Sequence, residues 1–320
     1  MRPVLLLCAL LALSPLAGTA ATPIAAGVDL IAGKFVPNQQ PDGNSILFRT
    51  ADGLVVIDTG RHAAHTQQII DYAQQAGQPI IAVFNSHWHL DHIGGNPRIR
   101  AAFPKARFYA SDALSDALQG FLASYRKQLE DALAQPADDK QKQAWRDEIA
   151  IIDAGSRLAP DEVIGASRKL SVGGRGFEVH LEKHSVTAGD VWLLDPASHV
   201  LVAGDLVTLP VPFLDTACPA HWKTALDDLA HADFKQLVPG HGAPMSRKDF
   251  ESYRKAFGNL LACSAGKDAK NVCIDGWIQD AGSLVAEADR DFAKHLLDYY
   301  MDASLRADAK HTAKLCGAAS

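Results

Sequence analysis

The sequence predicts an α/β fold of packed layers with a functional site at the ends of its strands. Three observations carry this reading: short apolar runs of strand length, helical apolar periods between them, and an abrupt change to polar residues where several of the runs end. The run 54–57 leads into Asp58-Thr59-Gly60, and the run 80–84 leads into Asn85-Ser86-His87. Phe177, Val179 and Leu181 alternate ahead of His184, Val200 to Ala203 precede Gly204-Asp205, and Leu237-Val238 precede Pro239-Gly240-His241. Buried strands that deliver polar groups to one rim are how open α/β sheets build ligand sites. Between them, Ile69, Ile70, Tyr72 and Ala73 mark the inward face of one helix, and Ala225, Leu226 and Leu229 that of another.

Two segments read as additions to this core. From Leu114 through Leu118, Phe121, Leu122, Tyr125, Leu129 and Leu133 the apolar residues recur every three or four positions, and a second such pattern surrounds Trp145, Ile149 and Ile152 beyond Gln135-Pro136. Residues 112–160 are therefore expected to form a helical hairpin inserted between strands and lying over the pocket. The stretch 261–320 is helical in pattern as well, notably from Leu284 to Tyr300. The expected organisation is a leader at 1–20, one domain over 21–260 that carries the insert, and a helical C-terminal extension at 261–320.

The leader is read from Met1-Arg2-Pro3, an apolar run from Val4 to Leu13, and small residues through Ala20 and Ala21. A basic start, a short apolar run and a small-residue end make a secretory signal, and the run is too short to span a bilayer. The protein is expected to be secreted or periplasmic, with no membrane anchor once the leader is cleaved. The full chain of 320 residues carries a net charge of -6 and has no long basic run. Nucleic acid is thereby a poor partner, and a small-molecule substrate is expected. Beyond the leader stand Cys218, Cys263, Cys273 and Cys316. An even number of cysteines in an oxidising compartment predicts two disulfides, with Cys263 to Cys273 the easiest pair to imagine and Cys218 to Cys316 the remainder.

Chemistry concentrates in residues 87–92, His-Trp-His-Leu-Asp-His, directly after an apolar strand. Alternate histidines in an extended segment project to one side, and a turn beginning at Asp91 swings the next two side chains toward a second point. One loop can thus serve two metals, and imidazole with carboxylate suits zinc. Trp88 faces either the substrate or the sheet.

This pattern resembles the His-x-His-x-Asp-His signature of the metallo-β-lactamase superfamily. Asp58-Thr59-Gly60, His184 ahead of Gly189-Asp190, Ala203-Gly204-Asp205 and Pro239-Gly240-His241-Gly242 look like the family's other motifs, in order. The resemblance covers roughly 42–245 and implies a four-layer αβ/βα sandwich with two zinc ions. It implies that His87, His89 and His184 hold one ion, that Asp91, His92 and His241 hold the other, and that Asp205 bridges them. Asp58 would stand behind a ligating imidazole and fix its tautomer. Many relatives have Gly-His-Thr where this chain has Lys183-His184-Ser185, and His180 competes for the same role. If Phe177, Val179 and Leu181 face the core, however, His180 faces away from it.

Such a site implies attack of a metal-bridged hydroxide on an ester, thioester or lactone, with Asp91 also moving a proton. Asp205 resembles the glyoxalase II and lactonase pattern, which places hydrolysis of a β-lactam ring second. Iron or manganese would fit the same donor types, and an iron-dependent oxidoreductase or a non-enzymatic zinc-binding protein are further alternatives. Most of the remaining histidines are expected at the surface or at helix ends. Of these, His221 could line the mouth of the site, beside a Trp222 packed into the core.

Overall fold

The structure, a computed structural model, describes residues 21–35 and 39–317. The expected leader at 1–20 lies outside the described residues.

Two sheets form the centre. The first runs in chain order: β1 (Thr22–Ala25), β2 (Val28–Ile31), β3 (Ser45–Arg49), β4 (Leu54–Ile57), β5 (Ile80–Phe84), β6 (Arg107–Ala110) and β7 (Glu162–Val163). Its first four strands are antiparallel and the last four pair in parallel. The second comprises β8 (Arg168–Val172), β9 (Arg175–Lys183), β10 (Gly189–Asp195), β11 (Val200–Thr208), β12 (Gln236–His241) and β13 (Met245–Ser246). Only β11 and β12 pair in parallel there.

Side-chain alternation along each strand divides the apolar residues between two faces. Val55 and Ile57 of β4 turn inward to meet Phe177, Val179, Val191 and Val202 between the sheets. Leu54 and Val56 turn outward, onto α1 (Ala63–Gln75), where Ile69, Ile70, Tyr72 and Ala73 are buried as their helical spacing requires. On the same loop-rich side lie α2 (Leu90–Ile93) and α3 (Asn96–Ala102).

The insert comprises α4 (Ala113–Gln119), α5 (Phe121–Leu133) and α6 (Asp139–Ile152). It is thus three helices where the apolar spacing suggested two. Gly120, at φ −106° and ψ −93°, breaks the first stretch. Leu114, Leu122, Leu129 and Ile152 form a small core of their own with Trp88, Leu90 and Ile93.

The outer face of the second sheet is covered by α7 (Pro219–His231), α8 (Arg247–Ala265), α9 (Lys270–Ala281) and α10 (Arg290–Tyr300), and α11 (Ala309–Leu315) follows them in the chain. The helix expected from Leu284 begins only at Arg290. Trp277, Leu297 and Tyr300 from these last helices share one buried cluster with Trp192, Leu201 and Trp222 of the sheet side. Trp277 Nε1 donates to Pro210 O at 3.0 Å, and Tyr300 Oη donates to Asp215 at 2.6 Å. The C-terminal stretch is therefore continuous with the core. Helices, sheet, sheet and helices make the four layers; the disulfide Cys263–Cys273 joins α8 to α9, and Cys218–Cys316 ties the end of α11 to the start of α7.

Candidate metal centre

The site is built from the residues that follow β4 and β5, the last residue of β12 and one residue inside β11. Asp58 leaves β4 with a positive φ of 60°, which turns its carboxylate back under the loop after β5. Oδ1 accepts from Ser86 N at 2.8 Å, and Oδ2 accepts from Ser86 Oγ at 2.7 Å and from His92 Nδ1 at 2.8 Å. Ser86 Oγ, having given its proton to Asp58, accepts from His87 Nδ1 at 2.9 Å. One carboxylate thus fixes two imidazoles, directly at His92 and through a serine at His87, and leaves each Nε2 as the free lone pair.

Those lone pairs converge on carboxylates. His92 Nε2 lies 3.1 Å from Asp205 Oδ1 and 3.6 Å from Asp91 Oδ2. His241 Nε2 lies 2.9 Å from Asp91 Oδ2 and 3.6 Å from Asp205 Oδ1. Tetrahedral zinc with donors at about 2.0–2.2 Å separates its ligands by roughly 3.3–3.6 Å; the donor atoms of Asp91, His92 and His241 lie within 4.8 Å of one another, as do those of His87, His92 and Asp205, so each set of three suits one ion. His87 Nε2 stands 3.6 Å from the other oxygen of the same carboxylate, Asp205 Oδ2. His87 Nε2, His92 Nε2 and Asp205 Oδ1 are buried without a hydrogen-bond partner. Donor atoms left unpaired inside a protein are costly, and a cation among them removes that cost.

Two close approaches hold the donors together. A Cβ on Gly240 would come within 2.0 Å of Asp205 Oδ1, and one on Gly43 within 2.5 Å of the His92 ring. Neither position accepts a side chain without displacing a donor. Asn44 anchors the strand end that carries His241, donating to Pro239 O and Gly242 O at 2.9 Å each. Asp205 sits within β11 rather than at its end: β11 runs on to Thr208, with a register shift from Gly204, whose φ is 53°. That irregularity projects the carboxylate to the rim from inside the strand.

The remaining two expected donors are placed differently. His89 Nε2 bonds Thr216 Oγ1 at 3.0 Å, and that hydroxyl donates to Val186 O at 2.9 Å. His89 Nε2 therefore carries the proton and Nδ1 the lone pair, and His89 joins neither of the two donor groups that close within 4.8 Å. His184 is also outside both groups. It has a positive φ of 53° and lies against the C-terminal segment, where a Cβ on Gly317 would come within 2.5 Å of its Nε2. His180 is remote, stacked on Trp192 at 3.7 Å between ring centres. His221 is exposed and Trp222 buried. Among the other histidines, His65 departs from the surface expectation: it is buried and bonded to Ser45 Oγ at 2.8 Å.

Electrostatics follow from this crowding. Burial would pull the His92 imidazole down, but Asp205, Asp58 and Asp91 raise it well above its ordinary value. Burial would raise the Asp91 and Asp205 carboxyls, yet the surrounding imidazoles, joined at Asp91 by Arg61, hold both below the usual carboxylate range. His87 goes the other way, because burial and the neighbouring His92 push it well below its ordinary value. Asp190, which accepts from Val186 N and from Thr187 N and Oγ1, is pushed up to about 7 by burial.

Arg61 and Glu148 are site neighbours without a motif of their own in the sequence. Arg61 reaches Asp91 Oδ1 at 3.6 Å and pairs with Glu148 of α6 at 2.6 Å, so the insert touches the donor cluster through one buried ion pair. Beyond it lies a cleft of about 1340 Å³ between the insert and the segment from Arg61 to Arg98. Burial of a charged pair inside a helix that is otherwise mostly exposed is the signal, and only tertiary contact reveals it.

The metallo-beta-lactamase superfamily model matches residues 40–262, and the chain belongs to that family. A linear primary-alkylsulfatase of Pseudomonas sp. (strain ATCC 19151) is 24% identical over 227 residues, which cover 63% of this chain and 42% of that one. A hydroxyacylglutathione hydrolase of Synechococcus sp. (strain JA-3-3Ab) is 38% identical over 47 residues, 15% of this chain and 19% of that one. The chain therefore spans less than half the length of these curated relatives. A metallo-beta-lactamase structure from Pontibacter korlensis shares the fold, with a TM-score of 0.56 at 20% identity over 75% of this chain and 98% of that one.

Proposed function

We propose that this protein is an exported zinc-dependent hydrolase that attacks a carbonyl-type bond in an ester, thioester or lactone. The observation that carries the reading is the convergence of unpaired, buried His87 Nε2, His92 Nε2 and Asp205 Oδ1 with Asp91 and His241. A divalent ion bound there supplies an activated water and a contact for the negative charge that develops on the substrate. Asp91, His92 and His241 hold the tighter ion, with Asp205 at its edge as the bridge. His92 Nε2 belongs to both donor groups but has a single lone pair. Once it serves that ion, the second position keeps His87 and Asp205 Oδ2, with His89 Nδ1 and His184 reaching it only by local rearrangement. The two zinc ions are therefore unequal. Asp91 stays ionised between His241 and Arg61 and is the residue assigned to proton movement.

The names of the relatives support hydrolysis of small molecules. The two disulfides support export and a cleaved leader at 1–20. Within this reading residues 21–260 are the hydrolase domain, 112–160 shape its pocket through Arg61 and Trp88, and 261–320 complete the outer layer.

The test is a panel of esters, thioesters, lactones, sulfate esters and β-lactams on protein of measured metal content. Turnover of the carbonyl substrates that is lost on chelation and restored by zinc supports the proposal. One iron per chain with no hydrolysis would sink it in favour of an oxidoreductase. Opening of β-lactams alone would favour the lactamase reading.

A further inference from the structure

We infer that the substrate carries an apolar chain or ring, which lies against an aromatic wall formed by Phe35, Phe213 and Phe292 beside His241; this deepens the hydrolase reading and rests on it. The three side chains come from separate parts of the chain, the loop after β2, the segment after β11, and α10. The ring of Phe35 lies 5.0 Å from the His241 ring and that of Phe213 lies 5.5 Å from it. Phe35 in turn meets Phe213 at 5.9 Å and Phe292 at 6.2 Å.

Position and exposure together make this a candidate binding surface. Phe35 is 40% exposed and Phe292 is 44% exposed. Single exposed apolar residues need no explanation, but a contiguous patch does. Among the described residues only six large apolar side chains are exposed, and two of them meet in this wall. A third, Phe121 at 51%, packs 4.9 Å from Trp88 on the His89 flank of the donors. A molecule reacting beside His241 must lie next to the wall. An apolar group there covers the rings and leaves water, whereas a small polar acyl group leaves them wet.

The experiment has two arms. In the first, kcat/KM is measured for p-nitrophenyl acetate, butyrate, hexanoate and octanoate, and is expected to rise by up to about fourfold per methylene. Phe35→Ala and Phe292→Ala should make that rise shallower, and Phe292→Leu, which keeps apolar area, should restore most of it. In the second, octanoate and acetate are titrated calorimetrically into the intact metal-loaded protein. Octanoate should bind at least tenfold more tightly, and the alanine variants should lose that preference.

A chain-length series that is flat, or equally steep in wild type and both alanine variants, overturns the inference while leaving the hydrolase reading intact. Absence of any hydrolysis together with a phenylalanine-dependent preference for octanoate overturns the hydrolase reading and supports the wall. A dimer that sediments as such through Phe292, without octanoate preference, means that a second copy covers the patch, and this too overturns the inference.

Discussion

The two halves of the donor cluster begin from the same short segment, yet they are built to different standards. On one side Asp91 and His92 of α2 meet His241 of β12, with Asp205 of β11 beside them, and each imidazole lies between 2.9 and 3.6 Å from both carboxylates. On the other, His87 points at the free oxygen of Asp205, His89 is tied through Nε2 to Thr216, and His184 rests on the C-terminal segment. The first half is confined on several sides: Asp58 grips His92, Asn44 fixes the strand end of His241, and Gly43 and Gly240 admit no side chain. In the second only His87 is gripped, through Ser86, and the restraints on His89 and His184 are one threonine hydroxyl and a disulfide-fastened tail. Ligand-type residues in a row offer two sites, and packing decides which is preassembled.

Substitution at the tight half should have the largest effect. His241→Ala removes one of four converging donors, and we expect metal affinity and turnover to fall together by at least about a hundredfold. Equilibrium dialysis with elemental analysis measures the first, and an unchanged metal content would mean that the halves have been ranked wrongly. Asp58→Asn should cost roughly 10–100-fold in metal affinity, because it weakens the grip on both His92 and Ser86. If it affected activity with the metal fully retained, Asp58 would be acting on substrate rather than on the ligands.

The disulfide Cys218–Cys316 closes a separation of 98 residues, against 10 for Cys263–Cys273. Chain entropy then makes the double serine variant of the longer bridge less stable by about 5 kcal/mol, and that of the shorter by about 3. Denaturant midpoints compare the two, and the reverse order would show that contacts of the tail, not loop closure, govern its stability.

The pH dependence of binding sharpens the comparison further. In the metal-free chain Asp205, Asp58 and Asp91 outweigh burial and raise the folded value of His92 above the unfolded one, which favours a proton on Nε2 until a metal takes its place. That group contributes stability below its ordinary value near 6.5, and the contribution is lost as pH rises through the raised value. A metal must displace the proton, so affinity should rise with pH by up to about tenfold per unit until His92 is neutral, with about one proton released. Calorimetry in buffers of different ionisation enthalpy counts it. Zero release would mean that metal enters without using His92.

The smallest effect is expected at His184. His184→Ala should change the affinity of the first ion by less than about twofold, whereas His87→Ala should weaken the second ion. A loss of the first ion in His184→Ala would show that the tail moves aside and the histidine-rich half assembles on binding.

Much of this molecule can be read without coordinates, because periodicity and burial follow from the chain itself. Val55 and Ile57 against Leu54 and Val56 could face only opposite layers in a strand. The order of motifs from Asp58 to His241 set out the family. The helix expected from Leu284 failed where Ala286-Glu287-Ala288-Asp289 forms a short helical turn before α10. Asp205 was expected at a strand end, but β11 continues past it because Gly204 absorbs the bend without ending the pairing.

By itself the sequence determined the layered architecture, the expectation of two disulfides and the residue types at the site, since these depend on side-chain period, an even cysteine count and the chemistry of imidazole and carboxylate, while the structure decided which cysteines pair. Only the tertiary structure decided which nitrogen of each histidine is free, that His184 lies on Gly317, and that Arg61 joins Asp91 to Glu148 of the insert. It also gathered Phe35, Phe213 and Phe292 beside His241. The physical reason is the same in each case. A hydrogen bond that fixes a tautomer, or a ring that borders a site, is a contact between residues tens to hundreds of positions apart, and no local pattern carries that distance.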